Sequence, residues 1–496
     1  MGGFIMTMNE VIIDLKESEN TVHVYEKSYV EVEGCMLQMI KIDNQKYIVV
    51  TGQGKLFDDI QGDLQEGYKR CPLTHENRLV LNTYLEYTNP IALGNKGATI
   101  GLGDRLGLAS PGHIRTIEDK KVHPVLAQQS IRELSLTNRS YKDVMDAACF
   151  AVFQEGYKEG FGADGDHLKE EEDIQMSIDL GFTMLTLDCT DKIDDTIDEA
   201  SEADIESKYM ALPQEEREEV EGKYLNKEFK LTNSTMTYDR LKVMKYVLIY
   251  GNAIEFMKHV YDKYIQPAKR GVDFEISIDE TSTPTTPESH YFIANELYSN
   301  GVKVNSMAPR FIGEFQKGID YMGDIDQFEK TFRIHAEIAD TFGYKLSIHS
   351  GSDKFHVFPI VAKYTKGRFH VKTAGTNWLE AVRIIAKENP ELYRKMHKYA
   401  LDHFGEAKKY YHVTTNIDAI EDIDHLSNEE LPSYMNDDNA RQLLHITYGL
   451  LLQAKDAEGK SLFKDAFFET LDKNEDKYAQ GLIKHIGKHI ELLGIK

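Results

Sequence analysis

A repeated strand and helix pattern constrains the fold of this chain more than any other feature. Eight short β-rich runs, each ending in small or polar residues, are separated by longer helical stretches. The runs are GATIGLG (97–103), GFGADGD (160–166), TMLTLDC (183–189), FEISIDE (274–280), VKVNSMA (302–308), YKLSIHSG (344–351), RFHVKTAG (368–375) and YYHVTTN (410–416). Because strand, helix, strand units pair their strands in parallel through right-handed crossovers, the pattern predicts an α/β fold, a TIM-type (β/α)8 barrel. The active site of such a barrel lies at the C-terminal ends of its strands.

The regions around this repeat have other patterns. Alternating runs such as VIIDL, TVHVYE and KYIVVTG predict strands, so we expect a small β-rich subdomain over residues 1–75. Residues 76–437 are expected to hold the barrel, with an acidic, helix-prone insertion at about 191–270. For this insertion a solvated surface excursion is favoured over a lid or an oligomer contact. Residues 438–496 read as helical and are predicted to pack on the barrel.

The composition excludes several classes of protein. A formal net charge of -24 argues against binding to nucleic acid or to an anionic membrane, because both need clustered Lys and Arg facing phosphates. The four cysteines form no cluster, so we expect neither a disulfide framework nor a thiolate zinc site. No leader-like N-terminus and no membrane-length apolar stretch is found in the sequence, which predicts a cytoplasmic protein.

Ionisable side chains stand in or just past seven of the eight runs. Each one alone is more often a packing residue or half of an ion pair than a ligand. A barrel would bring them to one mouth, however, where carboxylates and imidazoles either repel or share a cation. Divalent ions such as Mn, Ni, Co or Zn accept mixed nitrogen and oxygen ligands. The side chains are Asp166, His167, Asp188, Glu275, Asp279, Glu280, Arg310, Glu314, His349, His370, Lys372 and His412.

Two of the runs indicate particular chemistry. In SIHSGSDKF, His349 precedes a turn whose backbone N–H groups could bind a hydroxyl or carboxylate, so a metal ligand is favoured there over a buried packing histidine. In FEISIDET, Glu275 and Asp279 share one face, which is unusual for a buried strand unless that face borders a polar cavity. Glu275 lies deeper, and a desolvated carboxyl group is a natural general acid or base.

The stretch FGADGDHLK has two interpretations, a polar turn or part of a site. Adjacent residues on a strand point to opposite faces, so Asp166 and His167 can serve one site only if the backbone already turns there. Gly162 and Gly165 are expected to permit that turn.

Five strings are similar to the tagaturonate epimerase family, bacterial enzymes of hexuronate breakdown: GLGDRLGLASPGHIR, GFGADGDHLK, MAPRFIGEFQKGIDYMGD, LSIHSGSDKF and RFHVKTAGTNWLEAVR. The resemblance spans about residues 101–378. It implies a barrel-type epimerase that depends on a divalent metal and interconverts D-tagaturonate and D-fructuronate. The family's acid/base pair would fall on Asp166 and Glu275, and its metal ligands on His167, His349 and, as the third, Glu314. Either His370 or His412 is the alternative third ligand.

The implied substrate is a small keto-uronate, whose carboxylate needs local cations in so acidic a protein. The candidates for substrate binding are Arg105, Arg310, Lys354, His370 and Lys372. Because the inverted carbon is β to the ketone, the chemistry is either retro-aldol cleavage with re-addition or proton transfer by two opposed carboxylates. Alternative functions are a metal-dependent C4-epimerase or aldolase of a neutral or phosphorylated ketose, and a sugar-acid-binding protein without catalysis. A homo-oligomer is compatible with the sequence.

Overall fold

The structure, a computed structural model, describes residues 6–19 and 21–496. Its N-terminal region contains an antiparallel sheet. Strands β1, β3, β4, β6 and β5 lie in that order, with β2 paired to β3. This confirms the β-rich N-terminal region. The elements are α1 (Met8–Ser18), β1 (Val22–Val24), β2 (Val30–Val32), β3 (Cys35–Ile42), β4 (Gln45–Gly52), α2 (Lys55–Asp59), β5 (Asp63–Leu64), β6 (Tyr68–Pro72) and α3 (His75–Tyr84).

One predicted strand of this region is wrong, because VIIDL lies in helix α1. Thr7 and Glu10 form a capping box at the start of the helix, in which each side chain binds the other residue's backbone N–H. Met8, Val11 and Leu15 are buried, and their spacing of three and four residues gives the helix one apolar face. The cap, which was overlooked in the sequence, decides between helix and strand here.

Eight parallel strands close into a barrel in the order β7, β8, β9, β10, β13, β14, β15, β16, with β16 paired to β7, and this confirms the TIM-type fold. Helices follow the strands around it. The elements are β7 (Ala98–Gly101), α4 (Ser110–Ile117), β8 (Val122–Ser130), α5 (Ile131–Thr137), α6 (Tyr141–Glu155), β9 (Gly162–Leu168), α7 (Glu171–Asp179), β10 (Met184–Asp188), α8 (Glu202–Met210), α9 (Gln214–Tyr224), β11 (Glu228–Lys230), β12 (Thr235–Thr237), α10 (Arg240–Val260), β13 (Asp273–Ile278), α11 (Pro287–Ser299), β14 (Ser306–Pro309), α12 (Ile325–Phe342), β15 (Lys345–Ile348), α13 (Phe358–Thr365) and β16 (Phe369–Lys372).

Seven of the eight predicted runs contain a barrel strand, and one does not. YYHVTTN forms no strand in the described chain, although its alternating buried and exposed residues resemble one. The eighth strand is β8, which was not predicted because Pro124 lies inside it. The proline is tolerated because the pairing of β8 with β9 starts only at Val125, so no hydrogen bond to β9 needs its missing N–H.

The C-terminal helices build a second apolar core around Trp378, whose indole N–H donates to the Leu444 carbonyl at 2.8 Å. Helix α19 packs against α4 and α13 on the outside of the barrel. No helix among the described residues is long and apolar enough to cross a membrane. The helices are α14 (Thr376–Glu388), α15 (Pro390–Ala407), α16 (Asp438–Ile446), α17 (Tyr448–Gln453), α18 (Lys464–Lys473) and α19 (Glu475–Leu492).

Buried neutral histidines make the fold sensitive to acid. Burial lowers the pKa of His397 to about 4, against an ordinary value of about 6.5. Neither ring nitrogen of His397 has a hydrogen-bond partner among the described residues. Burial likewise lowers the pKa of six further histidines, which are His113, His290, His335, His370, His445 and His489.

The free energy of unfolding is therefore expected to fall as the pH falls from about 6.5 towards 4. In this window the unfolded chain binds protons at these histidines and the folded chain does not. Replacing His397 with Phe removes one such proton, so the slope should become shallower by about 1.4 kcal/mol per pH unit. Urea unfolding at several pH values measures the slope. A Met396→Leu variant on the same helix should change stability without changing the slope, and an unchanged slope in His397→Phe would contradict the prediction.

Candidate active site

Two histidines at the C-terminal ends of the barrel strands converge on the Asp279 carboxylate, which follows β13. The Nδ1 atom of His349, just past β15, lies 3.2 Å from Asp279 Oδ1. The Nε2 atom of His167, on β9, lies 3.9 Å from the same oxygen. One ligand atom from each of the three side chains lies within 4.8 Å of the other two.

The far nitrogen of each ring contacts a second carboxylate. His167 Nδ1 lies 2.9 Å from Asp166 Oδ1, and His349 Nε2 lies 2.7 Å from Glu275 Oε1. Each carboxylate therefore fixes the orientation of one imidazole and directs its other nitrogen to Asp279. Ligating histidines in metal sites commonly have this second contact to a carboxylate.

The Lys372 ammonium, at the end of β16, holds the carboxylates together from below. Its Nζ atom lies 2.6 Å from Asp166, 2.9 Å from Asp164 and 2.9 Å from Glu275. It also donates to the Thr186 hydroxyl at 2.6 Å. Four barrel strands thus meet at one buried cation, which offsets the repulsion between the three carboxylates.

The charges of this cluster depend on one another. Against the effect of burial, the Lys372 ammonium holds the pKa of Asp166 and of Glu275 well below the ordinary values. Burial raises the pKa of Asp164 to about 6. Burial also opposes a charge on His167, but the Asp166 carboxylate outweighs it and raises the pKa of that histidine to about 10. The pair of imidazoles therefore sits in a site whose potential favours positive charge.

The backbone turns at His167 itself. His167 has φ 55°, in the left-handed region that a residue other than glycine seldom occupies, and this places its side chain on the same side as Asp166. Gly165 has another function, because a Cβ there would lie 3.0 Å from Leu168 Cδ1 and 3.1 Å from Ser177 Cβ. The prediction that glycines make this turn is therefore wrong. His167 makes the turn in a strained conformation, and Gly165 is needed for close packing.

Two adjoining cavities, which share part of their lining, lie above the cluster. The inner cavity holds about 60 Å³, and its lining includes Asp166, His167 and Lys372. The outer cavity holds about 330 Å³, and its lining includes Arg310, Glu314 and the segment 410–412. Both cavities are lined by Arg132, Asp279, Glu280, Lys317, His349 and Ser350.

The donors of this site fit a divalent cation. Two imidazole nitrogens and a carboxylate oxygen are the mixed set that Mn, Ni, Co and Zn accept, and the cavities leave room for a substrate beside them. A second cluster of Asp353, His485 and His489 fits less well. His489 Nε2 already accepts the Asp353 N–H at 3.0 Å, and Arg441 neutralises the Asp353 carboxylate at 2.7 Å.

Comparison with known proteins agrees with this geometry. A family model described as tagaturonate epimerase matches residues 25–493. The chain belongs to the tagaturonate epimerase family. It is 41% identical over 475 residues to the tagaturonate/fructuronate epimerase of Thermotoga maritima, which covers 95% of this chain and 96% of that protein.

Solved structures from the family have the same fold. The glycerol-complexed crystal structure of the fructuronate-tagaturonate epimerase from Cohnella laeviribosi is 60% identical, with a TM-score of 0.96, and the match covers 99% of this chain and 100% of that one. The native crystal structure of that enzyme is 59% identical with a TM-score of 0.96 and the same coverage. The resemblance that the sequence strings indicated is confirmed.

Four of the five residues that the family resemblance implied for acid/base chemistry and metal binding come together. Asp166, His167, Glu275 and His349 belong to the one hydrogen-bonded cluster described above. Glu314 lines the outer cavity instead, and its backbone pairs with Met322. The third side chain within ligand distance of the two histidines is Asp279.

The alternative third ligands also lie apart from this cluster of ligand atoms. His370 Nδ1 lies 2.9 Å from the Thr99 hydroxyl, and its ring lines neither cavity. His412 belongs to the wall of the outer cavity.

Two of the predicted substrate-binding cations are held by partners inside the protein. Arg105 is 1% exposed and pairs with Glu133 at 2.6 Å. Lys354 donates to the carbonyls of Gln316, Ile319 and Ser352 at 2.8, 2.6 and 2.9 Å, so it fixes a loop. Neither side chain lines either of the two cavities at the barrel mouth. Arg310 does line the outer cavity, where it also donates to the Thr281 carbonyl.

Sequence reasoning missed two cations and a carboxylate that lie at the barrel mouth. Arg132 and Lys317 line both cavities, and Asp164 binds Lys372. Arg132 stands two residues past the end of β8, so prediction of that strand would have identified it. Lys317 lies in a long loop after β14, within the string MAPRFIGEFQKGIDYMGD, so the family resemblance could have indicated it.

Proposed function

We propose that this protein interconverts D-tagaturonate and D-fructuronate. The observation that carries the proposal is the pair of carboxylate-bound imidazoles facing Asp279 at the mouth of a barrel of this family. The relatives named above carry the same activity in their names. The two adjoining cavities have volumes of about 330 and 60 Å³, which is the size of a small-molecule site and suits a sugar acid.

His167, Asp279 and His349 are the proposed ligands of a divalent cation, Mn, Ni, Co or Zn. When bound, such a cation supplies Lewis acidity towards the oxygens of the substrate. Glu275 is assigned a positioning role, since it holds His349 and lines neither cavity. Asp166 is assigned the proton transfer, because it reaches the inner cavity and is kept ionised by Lys372.

We infer a retro-aldol route. Asp166 takes the proton of the hydroxyl on the inverted carbon, and the bond from that carbon to the neighbour beside the ketone breaks. The products are an aldehyde fragment that carries the carboxylate and an enediolate fragment that carries the electron pair of the broken bond. The aldehyde rotates, the bond re-forms on its other face, and Asp166 returns the proton to the new hydroxyl, so no atom is gained or lost.

The position of Glu275 supports this route over proton transfer by two opposed carboxylates. Two-base inversion needs one base on each face of the sugar. Glu275 is fully buried beneath His349, with its oxygens occupied by His349, Lys372 and the Ser306 hydroxyl. A retro-aldol route needs one carboxylate base at the substrate, and Asp166 in the lining of the inner cavity can serve as that base.

The activity is tested by incubating the protein with D-tagaturonate and a divalent metal and separating the products by chromatography. We expect D-fructuronate, and an Asp166→Asn variant that keeps its fold should lose about 10²- to 10⁴-fold of the rate. Faster turnover of a neutral or phosphorylated ketose would favour the alternative substrate class. No product with any of the four metals would favour a sugar-acid-binding protein without catalysis.

The route is tested by running the reaction in D₂O. Retro-aldol cleavage keeps the hydrogen on the inverted carbon, so NMR of the product should show no deuterium at that position. Deuterium at the inverted carbon would contradict the retro-aldol route and support two-base inversion. Deuterium at the carbon beside the ketone would report protonation of the enediolate and is compatible with cleavage.

A further inference from the structure

Two basic side chains at the barrel mouth form no ion pair with any residue that the structure describes. They are Arg132, past the end of β8, and Lys317, in the loop after β14. The Arg132 guanidinium lies 5.1 Å from the centre of the Tyr411 ring. The Lys317 ammonium donates to the Ser350 hydroxyl at 3.1 Å. Their charges are thus available to a ligand.

The other cations near the mouth are already neutralised or held. Lys372 contacts three carboxylates, and Arg105 is paired with Glu133. Lys354 is surrounded by backbone carbonyls. The carboxylates of Glu133 and Glu280 also line the inner cavity, but neither forms an ion pair with Arg132 or Lys317. Two cations at one polar cavity, with no ion pair to a described residue, favour the binding of an anion there.

The two cations lie close enough to the proposed metal site for one sugar acid to contact both. Both line the inner and the outer cavity, as do His349 and Asp279 of the proposed metal site. Because all four residues line the same two cavities, a small substrate whose anionic group lies at Arg132 and Lys317 can place its reacting carbons beside the two histidines. A guanidinium binds both oxygens of a carboxylate, and an ammonium adds a point charge.

We propose that Arg132 and Lys317 bind the carboxylate of the hexuronate and thereby select the sugar acid over the matching neutral ketose. The inference rests on the proposed function and deepens it, because it assigns the specificity of that site to two residues. Arg310, which lines only the outer cavity, is the competing candidate for the same group.

The experiment measures kcat and KM for D-tagaturonate and for neutral D-tagatose with metal-loaded full-length variants. Arg132→Gln and Lys317→Met should each lower kcat/KM for the uronate by about 10- to 100-fold, mostly through KM, because each loses a charge-assisted bond. The value for tagatose, which has no carboxylate, should change by less than about threefold. Lys317→Arg should restore most of the uronate activity. Lys409→Met removes an exposed cation that lines neither cavity and is the matched control.

Metal content and the urea midpoint of each variant separate recognition from damage to the fold. Arg132 is exposed to the cavity, so its variant is expected to keep the wild-type midpoint even if burial makes Lys317→Met unstable. The inference is overturned if folded Arg132→Gln has an unchanged KM for the uronate, or if kcat/KM falls equally for the uronate and for tagatose. It is also overturned if only Arg310→Gln lowers kcat/KM for the uronate selectively. Wild-type protein that converts no uronate would instead overturn the proposed function.

Discussion

Replacement of Lys372 by methionine is expected to lower the free energy of unfolding by about 3–5 kcal/mol at pH 7 and the rate by about 10²- to 10⁴-fold. The ammonium is the only group that contacts Asp164, Asp166 and Glu275 together in the described chain. Without it, Asp164 has no ion-pair partner among the described residues, and Asp166 and Glu275 keep only their contacts with His167 and His349. Asp166 also loses the nearest of the charges that keep it ionised.

The loss of stability should become smaller in acid. In the wild-type protein the pKa values of Asp166 and Glu275 are held below their ordinary values, so their contribution is present above about pH 4.5 and is lost as the pH falls further. In the variant the same carboxylates take up protons more readily, which removes their repulsion. Urea unfolding at pH 7 and pH 5 measures the difference.

Lys345 provides the matched control for Lys372. It is a second buried lysine, 2% exposed, at the start of β15 on the other end of the barrel. It donates to the Thr99 hydroxyl at 3.2 Å and forms no ion pair with a described residue. Lys345→Met should therefore cost less stability and keep turnover. Equal losses in the two variants would show that Lys372 acts only by filling space.

Exhaustive metal removal is expected to abolish turnover, and Mn, Ni, Co or Zn is expected to restore it. His167, Asp279 and His349 bring their ligand atoms within 4.8 Å of one another, and Asp166 and Glu275 orient the two rings. Activity assays after dialysis against a chelator, with metal content measured in parallel, test this. Full activity in metal-free protein would contradict it.

The third ligand is decided by comparing two carboxylate variants. Asp279→Asn should bind metal much more weakly, because Asp279 lies between the two histidines. Glu314→Gln should retain the metal, since Glu314 lies in the wall of the outer cavity. An Asp353→Asn variant checks that the second cluster holds none of the metal needed for turnover. Metal loss in Glu314→Gln but not in Asp279→Asn would restore the ligand set implied by the sequence.

Much of the fold followed from local patterns. The strand and helix repeat predicts the barrel, because periodicity and turn residues are local properties and parallel crossovers have one hand. Ionisable residues at strand ends predict the position of the site, since all C-terminal ends of barrel strands meet at one mouth. Helix α1 and strand β8 were exceptions because a capping box and a proline outweighed the simple alternation. The run YYHVTTN was a third exception, since it alternates but forms no strand in the described chain.

The sequence by itself determined the barrel, the family and the side chains at the mouth that include Asp166, His167 and His349. Only the tertiary structure decided which charged groups form ion pairs or hydrogen bonds with one another. From the sequence, Arg105 and Lys354 were predicted to be free to bind substrate. In the structure each has partners about 30 to 40 residues away in the chain. Arg132 and Lys317 form no ion pair with a described residue for the converse reason. Pairing depends on the stagger between strands and on loop conformation, and neither property is encoded in the spacing of residues within a single strand.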